Sequence, residues 1–170
     1  MRNNYKIRAM RFVEQLFPYI ENCGEWVENY RRAIEKFNYT KSRKVIFAHG
    51  CSRVAFITSD YVVKMDYNPY EVEEVGGGES EEIFYAFAKE RGFERLFAEI
   101  TSFSYGNKVF YIMPRIDGIG KYEDDIYWYL SSEDRDFVMD YLYDMHNLNY
   151  GWKDGYPIIV DYACNKLTCA

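Results

Sequence analysis

The sequence predicts an α+β fold: a five-stranded antiparallel sheet interrupted by a single helix and followed by a mostly helical segment. Three observations carry this. Helical periodicity fills residues 5–37, short β-branched runs crowd the middle of the chain, and a second helical tract begins near residue 122.

The elements follow in order. Ile7, Met10, Phe12, Val13, Leu16 and Phe17 form one apolar stripe, and Trp26, Val27, Tyr30, Ile34 and Phe37 form another. Pro18 and Cys23-Gly24 between them predict two helices. Glu28, Arg31, Arg32, Glu35 and Lys36 make the solvated face. The period then changes. Residues 44–48, 53–58 and 61–65 read as strands, separated by His49-Gly50-Cys51-Ser52 and by Ser59-Asp60, which are turn chemistry. Residues 66–79 are loop-like and end in Gly76-Gly77-Gly78. Residues 80–91 are helical, with Ile83, Phe84, Phe87 and Ala88 on the inner side. Apolar runs over 97–103 and 109–113, the second closed by Pro114, flank a hairpin turn at Gly106-Asn107. Residues 122–130 and 132–146 are helical, the latter opened by Ser132 as N-cap with Asp134 and Asp136 in its first turn. Ile158 to Val160 is a last short strand.

Composition narrows the function classes. The chain has 170 residues, enough to bury a core, and 48% hydrophobic with 28% charged residues reads as soluble and globular. Its net charge of −6, with no Lys/Arg run longer than two residues, lacks the electrostatic footprint of a nucleic-acid binder. Eighteen Tyr and twelve Phe are absorbed by core and surface packing. Cys23, Cys51, Cys164 and Cys169 form no Cys-x-x-Cys pair, and His49 and His146 are the only histidines. That set predicts reduced thiols and no zinc site. No apolar core of signal-peptide length follows Met1, and no run approaches roughly 18 apolar residues. The expectation is a cytoplasmic protein, off the membrane.

The chemistry concentrates near the C-terminus. Asp144-Met145-His146-Asn147-Leu148-Asn149 is followed, twelve residues after Asn149, by Asp161-Tyr162-Ala163. Phosphoryl transfer needs such a set: one acid orients the attacking hydroxyl, and an Asn and an Asp hold metal against nucleotide phosphates. Upstream, Gly50-Cys51-Ser52 is a small-residue turn between the first two strands. Lys64 shares a strand face with Val62, so it either points outward with Val62 or lines a cleft. Glu79, Glu81 and Glu82 open the following helix as first-turn acids. Glu81 lies three and seven residues before Phe84 and Ala88, on the inward stripe. Met113-Pro114-Arg115 ends the fifth strand.

In this order and spacing the residues resemble the protein kinase-like superfamily, and in size and motif form its minimal bacteriophage Ser/Thr protein kinases. The resemblance spans about residues 43–163. It implies a phosphate-covering turn with Gly50 and Ser52, and a strand-three Lys64 on the α- and β-phosphates, partnered by Glu81. It puts Met113 near the gatekeeper and Arg115 in the hinge whose backbone would bond adenine. Asp144 would be the base, Asn149 and Asp161 the Mg²⁺ ligands, and His146, replacing the usual Lys, would contact the γ-phosphate or orient Asp144. ATP and Mg²⁺ are the implied cofactors. Residues 1–42 become an extra helical extension, 43–114 an N-lobe and 115–170 a reduced helical C-lobe. The implied partner is a protein substrate or target protein, in the host cytoplasm if the chain is viral. A pseudokinase module and a small-molecule kinase are the alternatives.

The sequence also departs from the family. Leu142-Tyr143 stands where the family has His-Arg, and Tyr162-Ala163 where it has Phe-Gly. The resemblance ends before an activation segment. A short C-lobe leaves apolar faces for the N-terminal helices to cover, or for a second copy in a homo-oligomer.

Overall fold

Alternation along one central strand sorts the first half of the protein into two faces. A computed structural model describes residues 4–67, 75–121, 125–143 and 145–169. They divide into two compact units, Met1–Gly78 with Thr101–Arg115, and Glu79–Ile100 with Ile116–Ala170. The first holds α1 (Asn4–Ile20), α2 (Val27–Lys41), β1 (Ile46–His49), β2 (Arg53–Ile57), β3 (Tyr61–Asp66), β4 (Thr101–Tyr105) and β5 (Lys108–Pro114). The strands form one antiparallel sheet in the order β1-β2-β3-β5-β4, so β3 is central. The fold is α+β with the five-stranded sheet the sequence predicts.

Tyr61, Val63 and Met65 of β3 share a face with Val54 and Phe56 of β2 and Phe110 and Ile112 of β5. On that face lie α1 and α2, whose Val13, Leu16, Tyr30, Ile34 and Phe37 join the strand residues in one core. Phe12 and Phe37 meet edge to face at 5.7 Å. The N-terminal helices therefore share their core with the sheet. A second bracket ties them to it: the Asn38 amide donates to the Val45 carbonyl at 2.8 Å and accepts the Val45 N–H at 3.0 Å.

Pro18 does not break the first helix, which runs through it to Ile20. Proline there removes one backbone bond close to the helix end, and the buried Leu16 and Ile20 hold the last turn in place. The break comes at Gly24, with φ +63°. The hairpin turn at Gly106 is as expected. Its φ is +60°, and the Phe17 ring lies 2.1 Å from where a Cβ would stand, so glycine is required twice over.

The second unit contains α3 (Gly77–Glu90) from Glu79 onward, α4 (Ser132–Tyr141), β6 (Tyr150–Lys153) and β7 (Tyr156–Ile159). Aromatic rings fill it: Phe93 and Phe137 stack at 4.1 Å, and Phe84 meets Phe97 at 5.3 Å and Tyr162 at 6.0 Å. Ile83, expected inward, is exposed. The N-cap of α4 is Ser131, whose hydroxyl accepts the Asp134 N–H at 3.2 Å, and not Ser132. The helix stops at Tyr141 rather than 146, because Leu142 turns extended and bridges to Asn165. Of the helix expected over 122–130, the described residues keep a 3₁₀ turn, Ile126–Trp128. Residues 97–100 precede β4, and the Ala98 N–H donates to the Ile159 carbonyl at 2.9 Å. The strand β6 has no counterpart among the predicted elements. It is closed onto β7 by Asp154 and Gly155, both with positive φ, as a two-residue hairpin turn demands. No described helix is long and apolar enough to cross a membrane.

Tyr30 gives the first unit a pH signature. It is fully buried, its hydroxyl donates to the Gly24 carbonyl at 2.8 Å, and its pKa is pushed up to about 12, first by burial and then by Cys23. A raised phenol pKa means the fold favours the protonated form. The stability it contributes is complete below the ordinary value of 10 and lost as pH rises towards about 12. Urea midpoints measured across that window should fall more steeply for the wild type than for Tyr30→Phe. Parallel slopes would contradict this.

Candidate functional site

In the first unit Lys64 lies on the face opposite the helices, paired with Ala55 on one side and Tyr111 on the other. Its fractional exposure is 9%, so it is a buried side chain rather than a strand-end Lys facing water. Val62, Asp66 and Met113 share that face by register, and Met113 is buried. The entry to α3 runs against the same face. A Cβ at Gly78 would stand 2.2 Å from the Tyr111 ring, and one at Gly77 would stand 2.9 Å from Arg53. The glycine run thus lets backbone approach the Lys64 face closely.

The Gly50 to Ser52 turn is held by a residue that sequence reading missed. The Tyr67 hydroxyl donates to the carbonyls of Gly50 (3.2 Å) and Cys51 (2.8 Å), and the Tyr67 N–H donates to Ser52 at 2.9 Å. A Cβ at Gly50 would meet nothing within 4 Å, so packing does not demand glycine there. Arg115 is tied to the β2–β3 turn. Its N–H donates to the Asp60 carbonyl at 3.1 Å and its guanidinium to the Thr58 carbonyl at 2.9 Å.

In the second unit the β6–β7 hairpin gathers the polar residues. Tyr150 pairs with Ile159, so Asn149 and Asp161 flank the open end of the hairpin. The Asn149 carbonyl accepts the N–H of Val160 at 2.8 Å and that of Asp161 at 3.3 Å. Asn149 in turn donates its N–H to the His146 carbonyl at 2.9 Å. His146 is exposed, and its Nδ1 accepts the Leu148 N–H at 3.2 Å, which leaves the proton of the neutral ring on Nε2. Asp144 lies outside the described residues.

The next amide goes to the helix. Tyr162 donates its N–H to Glu81 Oε1 at 3.3 Å. Of the three acids at the start of α3, Glu81 is fully buried, Glu79 exposed and Glu82 half-buried. Tyr162 is itself buried, its hydroxyl donating to the Ala98 carbonyl at 2.7 Å.

Beyond it, Asn165 is fully buried. Its amide nitrogen donates to Ser80 Oγ (2.9 Å), the Tyr162 carbonyl (3.0 Å) and the Ala163 carbonyl (3.1 Å). Its oxygen accepts the Leu167 N–H and the Thr168 hydroxyl. Neither Ser80 nor Asn165 was singled out in the sequence, because a lone Ser and Asn carry no spacing signal.

Asn149 and Asp161 are joined backbone to backbone, and an Asn amide and an Asp carboxylate are hard oxygen ligands of the kind that suit Mg²⁺. Among the described residues no group of three or more His, Cys, Asp or Glu gathers as a metal cage. Such a pair would leave the remaining positions to water and phosphate oxygens, as Mg²⁺ prefers.

No protein-family model and no curated protein sequence matches the chain. It is similar in part to WbdD in a co-crystal structure with the kinase inhibitor LY294002. Identity there is 19% and the TM-score 0.38, over 72% of this chain and 33% of that one. A second structure, of the bifunctional kinase-methyltransferase WbdD, gives 18% and 0.37 over 70% of this chain and 31% of that one. The chain spans about a third of the length of these solved structures.

Asn165→Ala would remove five hydrogen bonds from a buried site. We expect a stability loss of about 2–4 kcal/mol by urea denaturation. Faster amide exchange at Leu167 should accompany it. A change below about 0.5 kcal/mol would show that the network is not structural.

Proposed function

We propose that the chain is an ATP- and Mg²⁺-dependent phosphotransferase of the protein kinase-like class, acting on hydroxyls of a protein substrate. The observation that carries this reading is the shared Asn149 carbonyl, which joins the backbones of Asn149 and Asp161 shortly after Asp144 and His146 in the sequence. The buried Lys64 on the face with Met113 supports it.

The roles follow from chemistry. Asn149 and Asp161 hold Mg²⁺, which when bound neutralises charge on the phosphates. Lys64 contacts the α- and β-phosphates, with Gly50 and Ser52 covering them. Glu81 positions the segment after Asp161 through the Tyr162 N–H. Met113 and Arg115 border the base. Asp144 would accept the proton of the attacking hydroxyl as its oxygen bonds to the γ-phosphorus and the bond from that phosphorus to the bridging oxygen breaks, ADP leaving with the electron pair; His146 would orient Asp144 or meet the γ-phosphate.

One observation favours a second reading, a nucleotide-binding module that acts by docking. Asn165 ties down the carbonyls of Tyr162 and Ala163, in the stretch that the family leaves free to move.

Labelled ATP and Mg²⁺ with a cell lysate distinguish the readings. The wild type should transfer label to protein, and Asp144→Asn should lower the rate by about 100-fold or more. Asp161→Asn should lose Mg²⁺-dependent nucleotide binding. Binding without transfer would establish the module, label appearing only on small molecules a metabolite kinase, and absence of Mg²⁺-dependent ATP binding would defeat the phosphotransferase reading.

A further inference from the structure

A second polar site lies in the first unit, on the sheet face that carries α1 and α2 and so opposite Lys64. It is a cavity of about 440 Å³, walled by α1, by the chain joining α2 to β1, and by the β2–β3 turn. That turn sits at the other end of β2 from Gly50 and Ser52. The cavity therefore belongs to neither the phosphate-covering turn nor the Lys64 face.

Its charge runs against the balance of the chain. The protein has a net charge of −6, yet Arg8, Arg11, Arg43 and Lys44 converge here with one carboxylate, Asp60. Asp60 is already committed, to Arg8 and to the Ser59 hydroxyl. Among the described residues, Arg11, Arg43 and Lys44 form no ion pair. Four like charges around one concavity repel each other, and an anion seated among them would relieve that cost. Three of the four are arginines, whose planar forks match phosphoryl oxygens. Phe12 and Tyr61 add aromatic wall, and the volume falls within the range of small-molecule sites. The cations are felt at that wall: burial and then Asp60 raise the Tyr61 phenol, while Arg43 and Arg8 pull it down.

We infer that this cavity binds a phosphorylated small molecule, its phosphoryl oxygens held by Arg11, Arg43 and Lys44 and its organic body lying against Phe12 and Tyr61. The site is independent of the phosphotransferase reading.

Calorimetric titration of the full chain without Mg²⁺, using inorganic phosphate and phenyl phosphate as probes, tests it. Phenyl phosphate should bind more tightly than phosphate. Both should weaken on the order of tenfold or more in Arg11→Ala/Arg43→Ala, whose unliganded melting temperature should be no lower than the wild type's, because both side chains are exposed and their mutual repulsion is removed. Lys64→Ala should leave both affinities unchanged. No binding of either probe would overturn the inference, as would loss in Lys64→Ala with retention in the double variant. Phenyl phosphate binding no tighter than phosphate would overturn the assigned ligand class.

Discussion

Two consecutive amide groups govern the candidate site. The N–H of Asp161 goes to the Asn149 carbonyl and the N–H of Tyr162 to the Glu81 carboxylate. The second acceptor is a fully buried acid, and a charge without donors there would cost several kcal/mol. The Tyr162 N–H answers part of that demand, and so fixes where the chain passes after β7. The first bond then sets Asp161 beside Asn149. Tyr162, held between them and the aromatic core, cannot turn without breaking contacts to Phe84, Phe97 and Ala98. The spacing of Asn149 and Asp161 thus comes from a hairpin and a buried carboxylate, both specified by short stretches of sequence.

The first unit solves a different problem. A sheet must bury at least one face, and here α1 and α2 cover the side bearing Tyr61, Val63 and Met65. Lys64 is left on the other side, between Ala55 and Tyr111, with three glycines bringing the start of α3 close by. The N-terminal helices do more than cover the sheet. Their basic residues line a cavity that the sheet alone would not have.

Much of this was legible in the sequence where periodicity or turn chemistry speaks. The strand alternation that separates Val63 from Lys64 survives in the fold, as does the position of Glu81 on the inward stripe of its helix. The Gly106 turn was visible too. The failures share a cause, since long-range partners outweighed local propensity. Pro18 was tolerated because burial holds the last turn of α1. The α4 helix ended early because Leu142 found a partner in Asn165, more than twenty residues on. The strand β6 was missed because Tyr150-Gly151-Trp152-Lys153 has little β-branched character, and its pairing with β7 is what makes it a strand. Tyr67, Ser80 and Asn165 act through hydrogen bonds to distant partners, which no pattern announces.

The central claim is that Asn149 and Asp161 form a metal pair fixed by their own backbone. Paramagnetic broadening of backbone amide signals by Mn²⁺ in the presence of ATP tests it most directly. The account predicts that signals of Asn149, Tyr150, Val160, Asp161 and Tyr162 broaden first and together, and that Asp161→Asn abolishes the effect. Broadening centred on other acidic residues, with these five signals unchanged, would contradict it.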